Sequence, residues 1–308
     1  MDSEFVARAG TRDDLPLTYA LAERGLHAVG LRMGVVPPGS PPDDAEIAAR
    51  WAEERPLFEF FASLPGRYRI IESRNQIVAF ARVAAAGGVE NLTELFVDEP
   101  FQGRGLAGVL LATCWPDQSS RRLIVAAGAN ADLTTYIGIG TVPLAGHWNM
   151  TATAATYVDR RVKEPDAAAH LELLEPDRAQ AEWQRLEPLA LGHARPELHR
   201  HLSDRTCLAA FDPQGRVESI CWISRAGAIG PGVGRDPEAL VRLVIAVLDR
   251  EAATGRDALQ LFVPTVNAKL LLRLRGLGFR LAWPGWIMGS FPLPGLDRYV
   301  PTCPSWIL

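Results

Sequence analysis

The residues best suited to chemistry lie between 92 and 112, in LTELFVDEPFQGRGLAGVLLA. Leu92 to Val97 is a short apolar run with branched and aromatic side chains, closed by the turn-forming Asp98, Glu99 and Pro100. It reads as a strand. Gln102-Gly-Arg-Gly105 is a polar turn, and Leu106, Val109 and Leu110 begin a helix that runs to about Cys114 with a buried apolar face. A strand, a glycine turn and a helix start make an anion site. The first helical N–H groups lack partners within the helix, and the helix dipole favours negative charge there. Gly103 and Gly105 let the backbone approach a ligand closely, and a side chain at either position is expected to intrude on it.

Other reactive groups point to less. His193, His199 and His201 invite a metal reading, but no cysteine or carboxylate pattern of zinc-site spacing lies near them. His199 and His201 do not share a helical face. No metal is expected. Cys114, Cys207, Cys221 and Cys303 are widely scattered and form neither a CxxC pair nor a disulfide framework, so they read as apolar filler in a reduced, cytoplasmic protein.

With 308 residues, 48% hydrophobic and 22% charged, the chain has material for two ordinary cores. A net charge of −4 argues against nucleic acid as a main partner. No apolar stretch is long enough for a membrane span, and MDSEFVARAGTRDD lacks the pattern of a signal peptide.

The elements around the loop follow from turn and cap signals. A strand is expected over 5–9 and helices over 15–30 and 44–63, the second begun by Asp43-Asp44. A hairpin is expected over 68–72 and 77–84, joined by Ser73-Arg-Asn-Gln76. After the opening helix come a strand over 123–127, a short helix over 131–139 and a strand over 144–153. The order then repeats: strand 170–174, helix 178–191, hairpin 207–211 and 217–223, strand 228–233, helix 237–253, strand 259–263, helix 268–275 and a strand region 281–291. Asn130 with Asn267, Gly140 with Gly278 and Val78 with Val217 keep nearly constant offsets, which argues for duplication. The expected fold is α/β (α+β), with two domains, 1–160 and 161–308, each a mixed, mostly antiparallel sheet flanked by helices. The linker is expected near 162–166.

Gln102-Gly-Arg-Gly-Leu-Ala107 after Leu95-Phe-Val-Asp98 resembles the donor loop of the GNAT acyltransferase superfamily. Asn130 ahead of Tyr136-Ile-Gly-Ile-Gly140 resembles that family's later motif, with Thr141 in place of the usual Phe. The resemblance covers about residues 5–155. It implies acetyl-CoA as cosubstrate and an amine, a small molecule, as acceptor. It assigns Gln102, Gly103, Arg104, Gly105, Leu106 and Ala107 to the pyrophosphate, the backbone of Leu95, Phe96 and Val97 to the pantetheine arm as a pseudo-strand, and Asn130 to the donor site. Arg104 serves a phosphate or is a solvated loop arginine.

Tyr136 is the candidate acid, since a phenol of pKa about 10 can protonate a thiolate leaving group of pKa about 8.5. Glu94 is the candidate base. Glu90, which strand alternation puts on the same face, and His147 are the alternatives. The second half has Gly234-Arg-Asp-Pro-Glu-Ala239 in place of the glycine loop and Leu274 in place of the tyrosine. It therefore resembles a degenerate copy that supports the first domain or shapes an acceptor pocket, for which Trp222, Trp283 and Trp286 are candidates beside their commoner role in cores. A non-catalytic acyl-CoA sensor or scaffold is the alternative function.

Overall fold

The computed structural model describes residues 4–116, 120–127, 130–163, 169–302 and 307, with the side chains of 130 and 131 outside that set. The chain divides into two compact units. One is Met1–Val142 with Met288–Phe291; the other is Pro143–Ile287 with Pro292–Leu308. The contact boundary falls ahead of residue 160 because the strand beginning at Val142 belongs with the second unit.

The first unit contains β1 (Val6–Ala9), α1 (Leu15–Met33), α2 (Asp44–Ser63), β2 (Gly66–Ser73), β3 (Gln76–Ala86), β4 (Val89–Val97), α3 (Leu106–Cys114), β5 (Arg122–Ala127) and α4 (Asn130–Gly138). Local chemistry explains the boundaries. Asp43 opens α2 as a capping box, its carboxylate accepting from Glu46 N at 2.9 Å while Glu46 reaches back to Asp43 N. Arg74 and Asn75, at φ 52° and 63°, make the tight turn between β2 and β3. Strands β1 to β4 pair antiparallel in chain order, and β4 pairs parallel with β5. One sheet face packs Val83, Leu92, Leu106, Leu110, Ile124 and Tyr136 into a core that includes Met288. The other packs Ile70 and Phe80 against Leu21 and Ala22 of α1.

The second unit carries most of β6 (Val142–Thr153), then α5 (Ala154–Lys163), β7 (Leu171–Leu173), α6 (Pro176–Leu191), α7 (Pro196–His201), β8 (Thr206–Phe211), β9 (Val217–Ile223), β10 (Ile229–Gly234), α8 (Pro237–Ala252), β11 (Ala258–Pro264), α9 (Ala268–Gly276), most of β12 (Arg280–Gly289) and β13 (Tyr299–Val300). Its strands β7 to β10 pair antiparallel in order and β10 pairs parallel with β11, the same pattern as β1 to β5. The repeat inferred from sequence offsets is thus a repeat of topology.

The segment expected as a linker begins inside a helix. Tyr157 is buried and donates to Asp249 at 2.6 Å, and Arg161 pairs with the same carboxylate at 3.0 Å, so α5 is docked on α8. Residues 164–166 of that expected linker lie outside the described residues.

Candidate functional site

Strand β4 is longer than its pairing with β5. The parallel register covers Glu90–Arg122, Asn91–Leu123 and Leu92–Ile124, whereas β4 continues to Val97. On its other side β4 stays paired with β3 through Val97. Among the described residues, therefore, the edge of β4 past Leu92 that would face β5 carries backbone groups free of strand pairing. Leu95 and Val97 turn their side chains into the core on the α3 face, and Phe96 stacks on Phe80 at 5.7 Å on the other. Only their backbone is left for a ligand running along this edge.

At the end of β4 the chain turns through Glu99–Phe101, and the Gln102 side chain donates to the Val97 carbonyl at 3.0 Å, tying the loop to the strand. Gly103 and Gly105 both have φ of 78°. In that left-handed region an ordinary residue is strained, so the backbone itself requires glycine. A Cβ at either position meets nothing within 4 Å among the described residues, so the space beside the loop is open there. Gly105 is the N-cap of α3 and supplies no side-chain oxygen, leaving the first amides of the helix without a side-chain cap. Leu106 is buried in the core and Ala107 half-buried, so Leu106 offers a ligand only its amide. Arg104 lies over the Phe101 ring and 3.4 Å from Glu4, on the surface.

The equivalent helix of the second unit begins differently. Asp236 caps α8 with its own carboxylate, accepting from Ala239 N at 2.8 Å. A Cβ on the preceding Gly234 would stand 2.6 Å from the Leu240 amide nitrogen. The second unit thus fills its helix N-terminus with its own negative charge and backbone, where the first leaves it open. Leu274, at the tyrosine's position, is fully buried core.

Tyr136 is buried on α4 in the same core cluster as Leu106 and Leu110. Burial, with Asp132 nearby, pushes its phenol pKa well up, so the hydroxyl keeps its proton at neutral pH. Thr141, which stands where the resemblance would put Phe, closes the end of the helix, its hydroxyl donating to the Tyr136 carbonyl at 2.8 Å. Asn130 opens α4, but its side chain lies outside the described residues.

Glu94 and Glu90 do not share a face. Arg82 pairs with Glu94 while Val83 pairs with Leu92, so Thr93 is an extra residue, a β-bulge. The bulge reverses the alternation. Glu90, opposite Ala85, faces the α3 side, and Glu94, opposite Arg82, faces α1 and α2. Glu94 and Arg82 are both buried, with Arg82 Nε 3.1 Å from Glu94 Oε2 but off the hydrogen-bond line. Arg82 also donates to the Phe58 carbonyl at 3.1 Å and lies 4.4 Å over the Tyr68 ring. Burial raises the Glu94 pKa, against the pull of Arg82, and its Oε1 has no hydrogen-bond partner. Tyr136 and Glu94 thus stand on opposite faces of β4.

His147, in the second unit, stacks on Phe262 at 4.6 Å and is buried, which lowers its pKa to about 3. His193 bonds the Leu191 carbonyl through Nδ1. His199 stacks on Trp183, takes the Trp222 indole N–H on Nδ1 at 3.1 Å and sets Nε2 2.9 Å from Glu187. Arg195 binds Glu187 at 2.7 Å and Tyr299 at 2.6 Å. This buried network, invisible to the spacing of its residues in sequence, belongs to the packing of α6 and α7. Trp222 is therefore a core residue; Trp286 is about one-third exposed. Among the described residues no group of three or more metal-ligating side chains comes together, and no helix is long and apolar enough to cross a membrane.

No protein-family model matches the sequence, and no curated protein matches it. Solved structures do. A Pyrococcus horikoshii protein assigned as an acetyltransferase aligns over 97% of this chain and 94% of its own, at 13% identity and a TM-score of 0.69. A GCN5-related N-acetyltransferase from Sphaerobacter thermophilus aligns over 96% and 98%, at 18% identity and TM-score 0.61. A tandem GNAT protein from the clavulanic acid biosynthesis pathway aligns over 94% and 99%, at 14% identity and TM-score 0.60. At these identities the likeness is one of fold, and the fold of this chain, along nearly its whole length, is the one shared by these GCN5-related N-acetyltransferase structures, a tandem GNAT protein among them.

Proposed function

We propose that the first unit transfers an acyl group, acetyl before others, from acyl-CoA to the amine of a small molecule. The observation that carries this reading is the uncapped N-terminus of α3, opened by Gly103 and Gly105 beside a strand edge unpaired past Leu92. Acyl-CoA brings an activated thioester and an anionic pyrophosphate. The amides following Gly103 and Gly105 hold the phosphate charge, aided by the dipole of α3. The edge of β4 beyond Leu92, where Gln102 already occupies the Val97 carbonyl, accepts the pantetheine arm as an added strand through its remaining backbone groups.

The chemical step needs a proton removed from an ammonium and one delivered to a departing thiolate. Glu94 offers an Oε1 without a hydrogen-bond partner and a carboxylate that burial makes more basic, and it serves as base to an amine that reaches the open strand edge from the face of β4 opposite Tyr136. Tyr136 keeps its phenolic proton at neutral pH and donates it to the sulfur. The second unit, its helix start closed by Asp236, serves as support and holds no second donor site. The free thiols of Cys114, Cys207 and Cys221 accord with work in the cytoplasm.

The test is release of free CoA thiol from acetyl-CoA over a panel of small amines, with acetyl-CoA binding measured alongside. Amine-dependent release supports the transferase. Tight binding with no release over a broad panel of amines sinks it and favours a sensor.

A further inference from the structure

The helix that carries Tyr136 has to be held at a fixed height, and the residues that hold it come from distant parts of the chain. Arg122 is buried at the start of β5, on the same sheet face as Glu90 and Leu92. Its Nη1 donates to the Ile139 carbonyl at 2.7 Å, at the end of α4, and its Nε donates to Ser120 Oγ at 3.1 Å. Its guanidinium lies 5.3 Å over the Trp115 ring. The turn that Arg122 grips is the one whose carbonyl at Tyr136 takes the amides of Ile139 and Thr141.

Arg122 is itself held through its backbone by the end of β12. Its amide donates to Ser290 Oγ at 2.9 Å, and the Ser290 amide donates to the Arg122 carbonyl at 3.0 Å. Two further contacts fix the same four residues. Met288 is fully buried in the cluster that contains Tyr136, and Phe291 takes the Arg121 guanidinium over its ring at 4.0 Å. A strand end seated by a core methionine, a reciprocal hydrogen-bonded pair and a cation–π contact is an integral part of the first unit.

We propose that Met288–Phe291 and Arg122 form a brace that sets the position of Tyr136, with Arg122 as a positioning residue acting through the Ile139 carbonyl. The proposal rests on the reading of Tyr136 as the proton donor. The brace matters to that role because proton delivery demands hydrogen-bond reach, and a displacement of about 1 Å costs on the order of a hundredfold in rate. Arg122 supplies what a shorter or neutral side chain does not: a long, planar donor that reaches a carbonyl across the strand–helix gap while its Nε stays bonded to Ser120.

The experiment uses the full chain and three variants, Arg122→Gln, Arg122→Lys and Ser290→Ala. Hydrogen exchange is measured on the protein without substrate, and CoA release and acetyl-CoA binding are measured in parallel. In Arg122→Gln, exchange over residues 132–141 is expected to speed up about tenfold, with strands β2 and β3 unchanged. Turnover should fall at least about tenfold and acetyl-CoA affinity should stay within about twofold. Arg122→Lys should restore part of both losses, and Ser290→Ala should show a smaller loss of the same kind. Unchanged exchange over 132–141, or a uniform rise over the whole first unit, overturns the proposal. If the wild-type protein releases no CoA with any amine, the transferase reading fails, and the exchange pattern still decides whether the brace exists.

Discussion

Arg82 and Glu94 stand directly opposite one another on β3 and β4, both out of solvent, with Nε and Oε2 3.1 Å apart. The pair exists because Thr93 bulges out of β4 and turns Glu94 to the α1 side. A buried charge whose partner is removed stays uncompensated, at a cost of about 3–5 kcal/mol. Arg82→Met should destabilise the protein by that amount in urea unfolding, and the double variant Arg82→Met/Glu94→Leu should recover much of it. Glu94→Gln is expected to lower turnover while leaving acetyl-CoA affinity nearly unchanged, as read by calorimetry.

Tyr136→Phe keeps the ring that packs beside Leu106 and Leu110 and removes only the hydroxyl. Thermal stability should be held, acetyl-CoA affinity should stay within about twofold, and turnover should fall about a hundredfold, the usual yield of a positioned acid. Equal turnover would remove the hydroxyl from the mechanism.

Gly105 has φ of 78° with open space where a side chain would begin. Gly105→Ala should therefore cost about 1–2 kcal/mol through backbone strain and weaken acetyl-CoA binding modestly. Gly105→Asp puts a carboxylate at the helix start, much as Asp236 does for α8, and should abolish binding for the whole chain. Calorimetric titration of wild type should find a single acetyl-CoA per chain. A second equivalent bound with similar affinity would contradict the contrast between the two helix starts.

The stability that the fold draws from a neutral His147 is lost as pH falls. Unfolded, its imidazole takes a proton near the ordinary 6.5; folded, burial holds that step down to about 3. Between those values the unfolded chain binds more protons, so stability declines on acidification at up to about 1.4 kcal/mol per pH unit. By pH 5 the loss from this group approaches about 2 kcal/mol. His147→Phe, which preserves stacking on Phe262, should flatten the fall in urea midpoint between pH 7 and 5. An unchanged slope would show that other groups set it.

Much of this is legible in the residues themselves. Asp43 and Asp236 announce their helices, Gly103 and Gly105 mark a loop that needs left-handed backbone, and the repeated order of elements announces the duplication. Other features carry no local mark. Nothing in LTELFV identifies Thr93 as a bulge, because a bulge is a mismatch with a partner strand. Regular alternation therefore puts Glu90 and Glu94 on one face. The charged run at 159–163 reads as the approach to a linker, since the Asp249 that pairs with Arg161 lies far along the chain. Glu187, Arg195 and His199 disclose their network only once α6 and α7 fold back together.

The membership of Met288–Phe291 in the first unit also fixes the order in which the protein can be made. A ribosome delivers residues 1–142 early, yet the core around Tyr136 lacks Met288, and Arg122 lacks Ser290, until residues 288–291 have emerged. The first unit is completed only after most of the second has been synthesised. A nascent or prematurely terminated chain then carries the glycine loop without the strand end that closes its domain. Closure of the first unit is tied to synthesis through Phe291.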